Sequence, residues 1–414
     1  MTTADSSPAR AREALLLLSR LRTVATRAAL GLLATSVLFS LSEFALIAVD
    51  FTRPLAFDPP IRLFDGAHET VVEGGSSLFR FDPYLYWDLR PGAPVVGASD
   101  ERIGPTGFRG ATIELERSPG TLRVACLGDS STFGLFCPVE ESYPARLEAE
   151  IGRRLSGAGV RGVEALNAGV PGHTAFQGLQ TLQRKVAPYS PDVVVLMFGA
   201  VNECLTLAPP ALGRAAASDE RENSPRPARR LGSTDVLAHR LASDPDAGDA
   251  DDAAALVGTG PRFGSILLSH LGRFRTVQLL ASLSPRPGLA TARDELEAWR
   301  KGASTGASPP RMSVKSFASC VNAMIEIARA SGARVIVLGP PRRESLRRSA
   351  PVVSRYSSAL AEVARRWGVP YLDLEPFFDA DPSLFIPADP VHPSSRGHAL
   401  IAAKVAEIVA AGGG

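Results

Sequence analysis

The chain has 414 residues, 45% of them hydrophobic, and its 45 Lys and Arg against 43 Asp and Glu leave a formal net charge of +2. That length exceeds one ordinary domain and allows a sizeable core, while near-neutrality gives no global attraction to nucleic acid or to anionic surfaces. Four cysteines, Cys126, Cys137, Cys204 and Cys320, lack C-x-x-C spacing, and the six histidines form no H-E-x-x-H, so neither a metal nor a cofactor is expected.

In chain order, the first feature is a basic segment, residues 1–27, with Arg10, Arg12, Arg20, Arg22 and Arg27 opposed only by Asp5 and Glu13. An apolar run, 28–49, follows with the single charge Glu43. As a helix this run reaches roughly 33 Å, enough to cross a hydrocarbon core of about 30 Å. The preceding arginines predict a cytoplasmic N-terminus and an exported remainder. Glu43 lies near the distal end, where its side chain can reach the interface. No A-x-A site follows, and the run is longer than a signal-peptide core, which favours an uncleaved anchor.

Residues 50–120 are rich in Pro, Gly, Arg and aromatics and lack helical periodicity. They read as a lead-in of loops and short strands packed on the main domain, 121–414. From Thr121 short apolar runs alternate with amphipathic ones. Strands are expected at Arg123–Leu127, Val163–Asn167, Val193–Gly199, Arg334–Leu338 and Tyr371–Leu374. Helices are expected at Tyr143–Leu155, Gln177–Val186, Val314–Ala330, Val352–Trp367 and Arg396–Ala410. The alternation predicts an α/β fold, a three-layer doubly wound domain on a five-stranded parallel sheet. An insertion, 209–311, interrupts it. Its first part is polar and of low complexity, and Phe263–Leu283 is apolar enough for a helix docked on the domain or lying near the membrane.

Four short pieces carry chemistry. "VACLGDSSTFG" sets Ser130 at the carboxyl end of a central strand, where open α/β sheets place their ligand crevice. "DPVHPSSRGH" sets Asp389 three residues before His392, so Nδ1–H can donate to the carboxylate and Nε2 can act as base toward Ser130. "LNAGVPG" offers the backbone N–H of Gly169, and "FGAVNE" the side-chain amide of Asn202, to an oxyanion. Taken singly, each is also a helix cap or a turn residue; their placement at successive strand ends singles them out. His173 and His398 read as packing and capping residues, and Arg109 as one half of a buried ion pair. Export would permit Cys137 and Cys204 to pair, but nothing in their spacing requires it.

These pieces, in this order, resemble the blocks of the SGNH (GDSL-like) hydrolases, and the lead-in "FRFDPYLYWDLRPG" and "GPTGFRG" resembles that of bacterial membrane-anchored members. The resemblance covers residues 121–206 and 312–410. It implies a flavodoxin-like fold and a serine esterase with Ser130, His392 and Asp389 as its triad and Ser130, Gly169 and Asn202 as its oxyanion hole. It implies no particular substrate; an acylated small molecule or envelope glycan is the leading expectation. The location implied is the bacterial inner membrane, single-pass, with the catalytic domain periplasmic or extracellular. An O-acyltransferase using the same acyl-serine, or a non-catalytic membrane-tethered binding module, are the competing functions.

Overall fold

A computed structural model describes residues 8–49, 51, 61–65, 68–72, 78–82, 85–95, 100–156, 159–203, 274–283, 312–349 and 351–412. Two units are distinguished, one formed by Met1–Pro54 with Ile266–Pro285, the other by Leu55–Ser265 with Arg286–Gly414. The elements run α1 (Pro8–Ala48), β1 (Ile61–Asp65), β2 (His68–Val72), β3 (Phe79–Asp82), β4 (Tyr86–Leu89), β5 (Thr121–Gly128), α2 (Ser130–Phe133), α3 (Tyr143–Arg154), β6 (Gly162–Gly169), α4 (Ala175–Thr181) and β7 (Val193–Met197). After these come α5 (Arg275–Leu283), α6 (Val314–Ala330), β8 (Arg334–Gly339), α7 (Glu344–Ser349), α8 (Val352–Trp367), β9 (Tyr371–Asp373), α9 (Glu375–Ala380) and α10 (Ser395–Ala411).

The five strands β6-β5-β7-β8-β9 form one parallel sheet in that order. The chain starts in the middle, steps outward to β6, then returns past β5 to β7, which makes the β5–β7 boundary a topological switch point. Period-two alternation divides each strand between two cores. Ala125, Leu127, Leu166, Val194, Leu196, Val335 and Val337 pack with residues of α4, α6 and α8 on one face. Val124, Cys126, Val193, Val195, Met197, Ile336 and Leu338 pack with α3 and α10 on the other. The result is the three-layer α/β fold that the alternation predicts.

Several bounds differ from expectation. The first helix spans Pro8–Ala48, so residues 8–27 of the basic segment are helical as well as the apolar run. The helix expected over Gln177–Val186 is α4 from Ala175 to Thr181, continued by a π-helical turn over Leu182–Val186. Within the expected Phe263–Leu283 helix, the structure describes Arg275–Leu283; residues 263–273, like the polar first part of the insertion, lie outside the described residues.

The lead-in contributes two antiparallel hairpins, β1–β2 and β3–β4. Leu78, Phe79, Trp87 and Leu89 share a core with Ile103, Phe133, Leu135 and Val170. Arg109 locks this part to the domain. Its side chain is buried, forks onto Glu101 at 2.6 and 2.7 Å, and donates to the carbonyls of Phe133 (2.7 Å), Gly134 (2.5 Å) and Cys137 (2.7 Å). Every donor of the planar guanidinium is matched to a fixed oxygen, which an ammonium on a flexible stem cannot reproduce. Arg109→Ala is therefore expected to lower unfolding free energy by about 3–5 kcal/mol, as removal of one partner of a buried pair does. Arg109→Lys should recover little of that loss, with both read from denaturant midpoints of the full chain. A midpoint unchanged in Arg109→Ala would show that the network is dispensable.

Candidate active site

The carboxyl end of β5 sets the nucleophile. Gly128 ends the strand, and Asp129 caps α2 by accepting the N–H of Ser131 at 2.9 Å. Ser130 is thus the first residue of a helix, and its N–H is among those that find no intrahelical acceptor. Gly134 closes this single turn in the left-handed region, φ 81°, donating to Ser130 O.

A second loop, just before α10, brings the base. His392 Nε2 stands 2.8 Å from Ser130 Oγ, and Nδ1 2.7 Å from Asp389 Oδ2. Asp389 Oδ1 also accepts the N–H groups of Val391 and His392, each at 2.7 Å. Burial pushes the Asp389 carboxyl up, but the His392 charge and these hydrogen bonds outweigh it and hold the group below its ordinary value. Asp389 is therefore ionised and can only accept, so Nδ1 carries the proton and Nε2 presents its lone pair to Ser130. Burial also opposes charge on His392, yet Asp389 and then Asp129 outweigh it and raise the imidazole above its ordinary value. Arg343 fixes the loop from below, donating Nε–H to Asp389 O at 2.7 Å. Ala388, next to Asp389, is held at φ 61°, backbone strain that the surrounding bonds must maintain.

Asn202, in the turn after β7, is buried, and its Nδ2 donates to Asp129 Oδ2 at 2.9 Å. Gly169 N–H donates to Asn167 Oδ1 at 3.1 Å, a bond that an oxyanion at this strand end would have to replace. What requires glycine there is contact: a Cβ would lie 2.3 Å from Phe133 N and 2.7 Å from Thr132 C, inside the backbone of α2. The chain then turns through Pro171 and Gly172 (φ 79°), with His173 N–H on Val170 O at 3.1 Å and Trp87 Nε1–H on Pro171 O at 3.1 Å.

Three contributions to the site are not legible in the sequence, although it does mark Arg109 as one half of a buried ion pair. Asp129 was visible in Gly-Asp-Ser, but its link to Asn202 was not. Phe136 stands at φ 66° and meets the His392 ring edge-on, centroids 5.8 Å apart. Arg109 holds the Gly134 and Cys137 carbonyls, on either side of Phe136, so the ion pair with Glu101 also braces a wall of the site. No local signal marks Phe136, because only folding reveals its backbone conformation.

The remaining candidates are structural. His173 Nε2 bonds Trp87 O at 3.0 Å. His398 accepts Tyr143 N–H at 3.2 Å and stacks on that ring. Cys137 is buried, its thiol pushed up to about 11 by burial; Cys204, its possible partner, lies outside the described residues. Among the described residues no group of three or more His, Cys, Asp and Glu is placed to hold a metal ion.

No curated protein matches the chain. Among solved structures, it is similar to a lipase/acylhydrolase from Enterococcus faecalis, at 18% identity over 70% of this chain and 96% of that one, TM-score 0.38. It is also similar to an acetylxylan esterase from Geobacillus stearothermophilus, at 12% identity over 70% and 94%, TM-score 0.36. A third is a GDSL-like lipase from Bacteroides thetaiotaomicron, at 12% identity over 69% and 88%, TM-score 0.34. The family of GDSL-like lipases and acylhydrolases matches residues 126–400, about two thirds of the chain. That span includes Ser130, Gly169, Asn202, Asp389 and His392, and the chain belongs to the GDSL-like lipase/acylhydrolase family of ester-hydrolysing serine hydrolases.

Proposed function

We propose that Ser130, His392 and Asp389 are the nucleophile, base and orienting carboxylate of a hydrolase acting on O-acyl esters. The observation that carries this is the unbroken relay Ser130–His392–Asp389 at 2.8 and 2.7 Å, on an ionised Asp389. His392 Nε2 takes the Ser130 proton as Oγ attacks the ester carbonyl. The tetrahedral oxyanion is received by the Ser130 N–H at the helix end and by the amide of Asn202; Gly169 serves by letting α2 approach the sheet. His392 then protonates the leaving alcohol, and water enters by the same route to release the acid. The apolar run in α1 supports a single-pass anchor, with the hydrolase domain on the exported side of a bacterial inner membrane. This placement favours acylated envelope glycans, O-acetyl esters among them, as substrates. A panel of acetylated sugars assayed for released acetate tests that choice, and transfer of acetyl to a second sugar in place of release would make the chain a transferase.

Ser130→Ala should abolish turnover of a small chromogenic ester without moving the thermal unfolding midpoint, and most of the activity surviving would overturn the assignment. Asn202→Ala should lower kcat by about a hundred- to a thousand-fold, the cost of one oxyanion donor.

The pH profile separates Asp389 from His392. His392 must be neutral to accept a proton, so kcat/KM falls as pH drops through its raised value. Asp389→Asn removes the main stabiliser of the imidazolium. The acidic limb should therefore move to lower pH while the plateau drops by about ten-thousand-fold. Wild-type rates with an unmoved limb would leave a Ser130–His392 dyad.

The anchor is tested separately. The full-length chain should remain with membranes after alkaline carbonate extraction, and a chain beginning at Phe51 should be soluble. Processing near residue 50 would mean a cleaved signal instead.

A further inference from the structure

One unit of the structure has no part in the chemistry above: α1 together with α5, the described helix of the insertion. A carboxylate inside an apolar run needs partners or it loses more in desolvation than the fold can return. Glu43 has them, and they come from a segment more than two hundred residues away. Its Oε1 accepts the backbone N–H of Arg275 at 2.8 Å, and its Oε2 accepts the N–H of Thr276 at 2.8 Å and the Thr276 hydroxyl at 3.0 Å. These are the first two amides of α5, donors that no turn of their own helix can satisfy, at its positive end. Three further contacts fix the junction. The hydroxyls of Ser42 and Thr276 lie 3.0 Å apart, Phe39 and Phe274 meet edge-to-face at 5.3 Å, and Arg275 Nη1 donates to Leu46 O at 3.4 Å. The last of these places a cation on a carbonyl in the final turn of α1, where the helix dipole favours it.

We propose that α5 is a second membrane-contacting element, docked by its N-terminus on Glu43 of the anchor and resting its apolar side in a phospholipid bilayer beside α1. The proposal rests on the reading of α1 as a membrane span. The apolar surface supports it. Leu280 is 60% exposed, and among the described residues the other large hydrophobics so exposed lie in α1 or just past it at Val49, apart from Leu115. Leu280 thus extends, within one unit, the apolar surface of a helix that is itself long and apolar enough to cross a membrane. Glu43 lies five residues before the end of α1, about 7.5 Å of helix rise, so the docking point falls at the depth where acyl chains give way to headgroups. With Arg275 already bonded to Leu46 O, the attraction is apolar burial, not charge, and a zwitterionic bilayer suffices. Glu43 is then neither a tolerated stray charge nor a functional intramembrane acid. It is the cap that ties the insertion back to the anchor.

The test uses the full-length chain in phosphatidylcholine vesicles, with an environment-sensitive NBD label on Leu280→Cys and the unsubstituted chain as labelling background. Emission is expected to be quenched by brominated phosphatidylcholine and shielded from aqueous iodide. Adding Glu43→Ala or Thr276→Val should raise iodide quenching several-fold while the protein stays in the vesicles after carbonate extraction. Shielding from iodide without quenching by brominated lipid would mean docking on protein alone and overturn the proposal. So would free iodide access in the parent, or no response to either substitution. Loss of the chain from the vesicles on carbonate extraction would instead show that the span itself is misread.

Discussion

The site depends on one buried carboxylate, Asp129. It leaves β5, caps the helix that begins with Ser130, and takes the Asn202 amide at the end of β7. It therefore joins the two strand ends that flank the switch point. Burial pushes its carboxyl up; the Ser131 N–H, His392 and Asn202 pull it back only in part. That balance is expensive, and it is what fixes the geometry: a group whose two oxygens are each claimed by a fixed donor leaves the nucleophile turn and the oxyanion amide no independent freedom. His392 feels the same carboxylate, so the base is tuned by a residue it does not touch.

Three arginines do for the loops what Asp129 does for the strand ends. Arg109, Arg123 and Arg342 are all buried, and each pairs with one glutamate and spends further donors on backbone carbonyls in loops or at helix ends, with Arg342 also donating to the Ser357 hydroxyl. Arg123 holds Tyr189 O and Glu114 O, Arg342 holds Val353 O, and Arg109 holds the exit of α2. A connecting loop buried in this way would otherwise carry unsatisfied acceptors. The guanidinium supplies several hydrogens from one point, which suits corners where no partner strand exists. Through Arg109 the lead-in becomes part of the apparatus around Ser130 instead of an ornament on the domain.

How much of this the sequence displays follows from how local each cause is. α6 and α8 run over the expected residues because their ends are punctuated locally, by Ser313 as a cap bonded to Ser316 and by Gly368 in the left-handed region. β7 is apolar throughout, as a strand buried on both faces must be. The relation of Asp389 to His392 is legible because three residues separate them. Short helices escape: α2, α7 and α9 hold four to six residues, too few to display a period. Gly169 shows where the limit lies. A glycine at a strand end is visible, but whether it offers an amide or makes room for another backbone depends on Phe133, which arrives from a different part of the chain. The partnership of Glu43 with α5 is hidden for the same reason.

His392 and His398 show why residue type alone cannot assign a base. They lie six residues apart and both belong to the piece that opens α10; His398 is fully buried, while His392 keeps 13% of its side chain exposed. His392 has Asp389 on one nitrogen and Asp129 nearby, and its proton affinity rises despite burial. His398 has burial first, then Arg109, His392 and Arg146, and no carboxylate on either nitrogen, so its value drops to about 3. Its Nδ1 accepts the Tyr143 N–H, which fixes the neutral form with the proton on Nε2. Near neutral pH, then, only one of the two can exchange a proton. The other is a flat, uncharged plate that joins α10 to the first turn of α3. Two imidazoles, drawn from one short motif, are separated in function by where the carboxylates are.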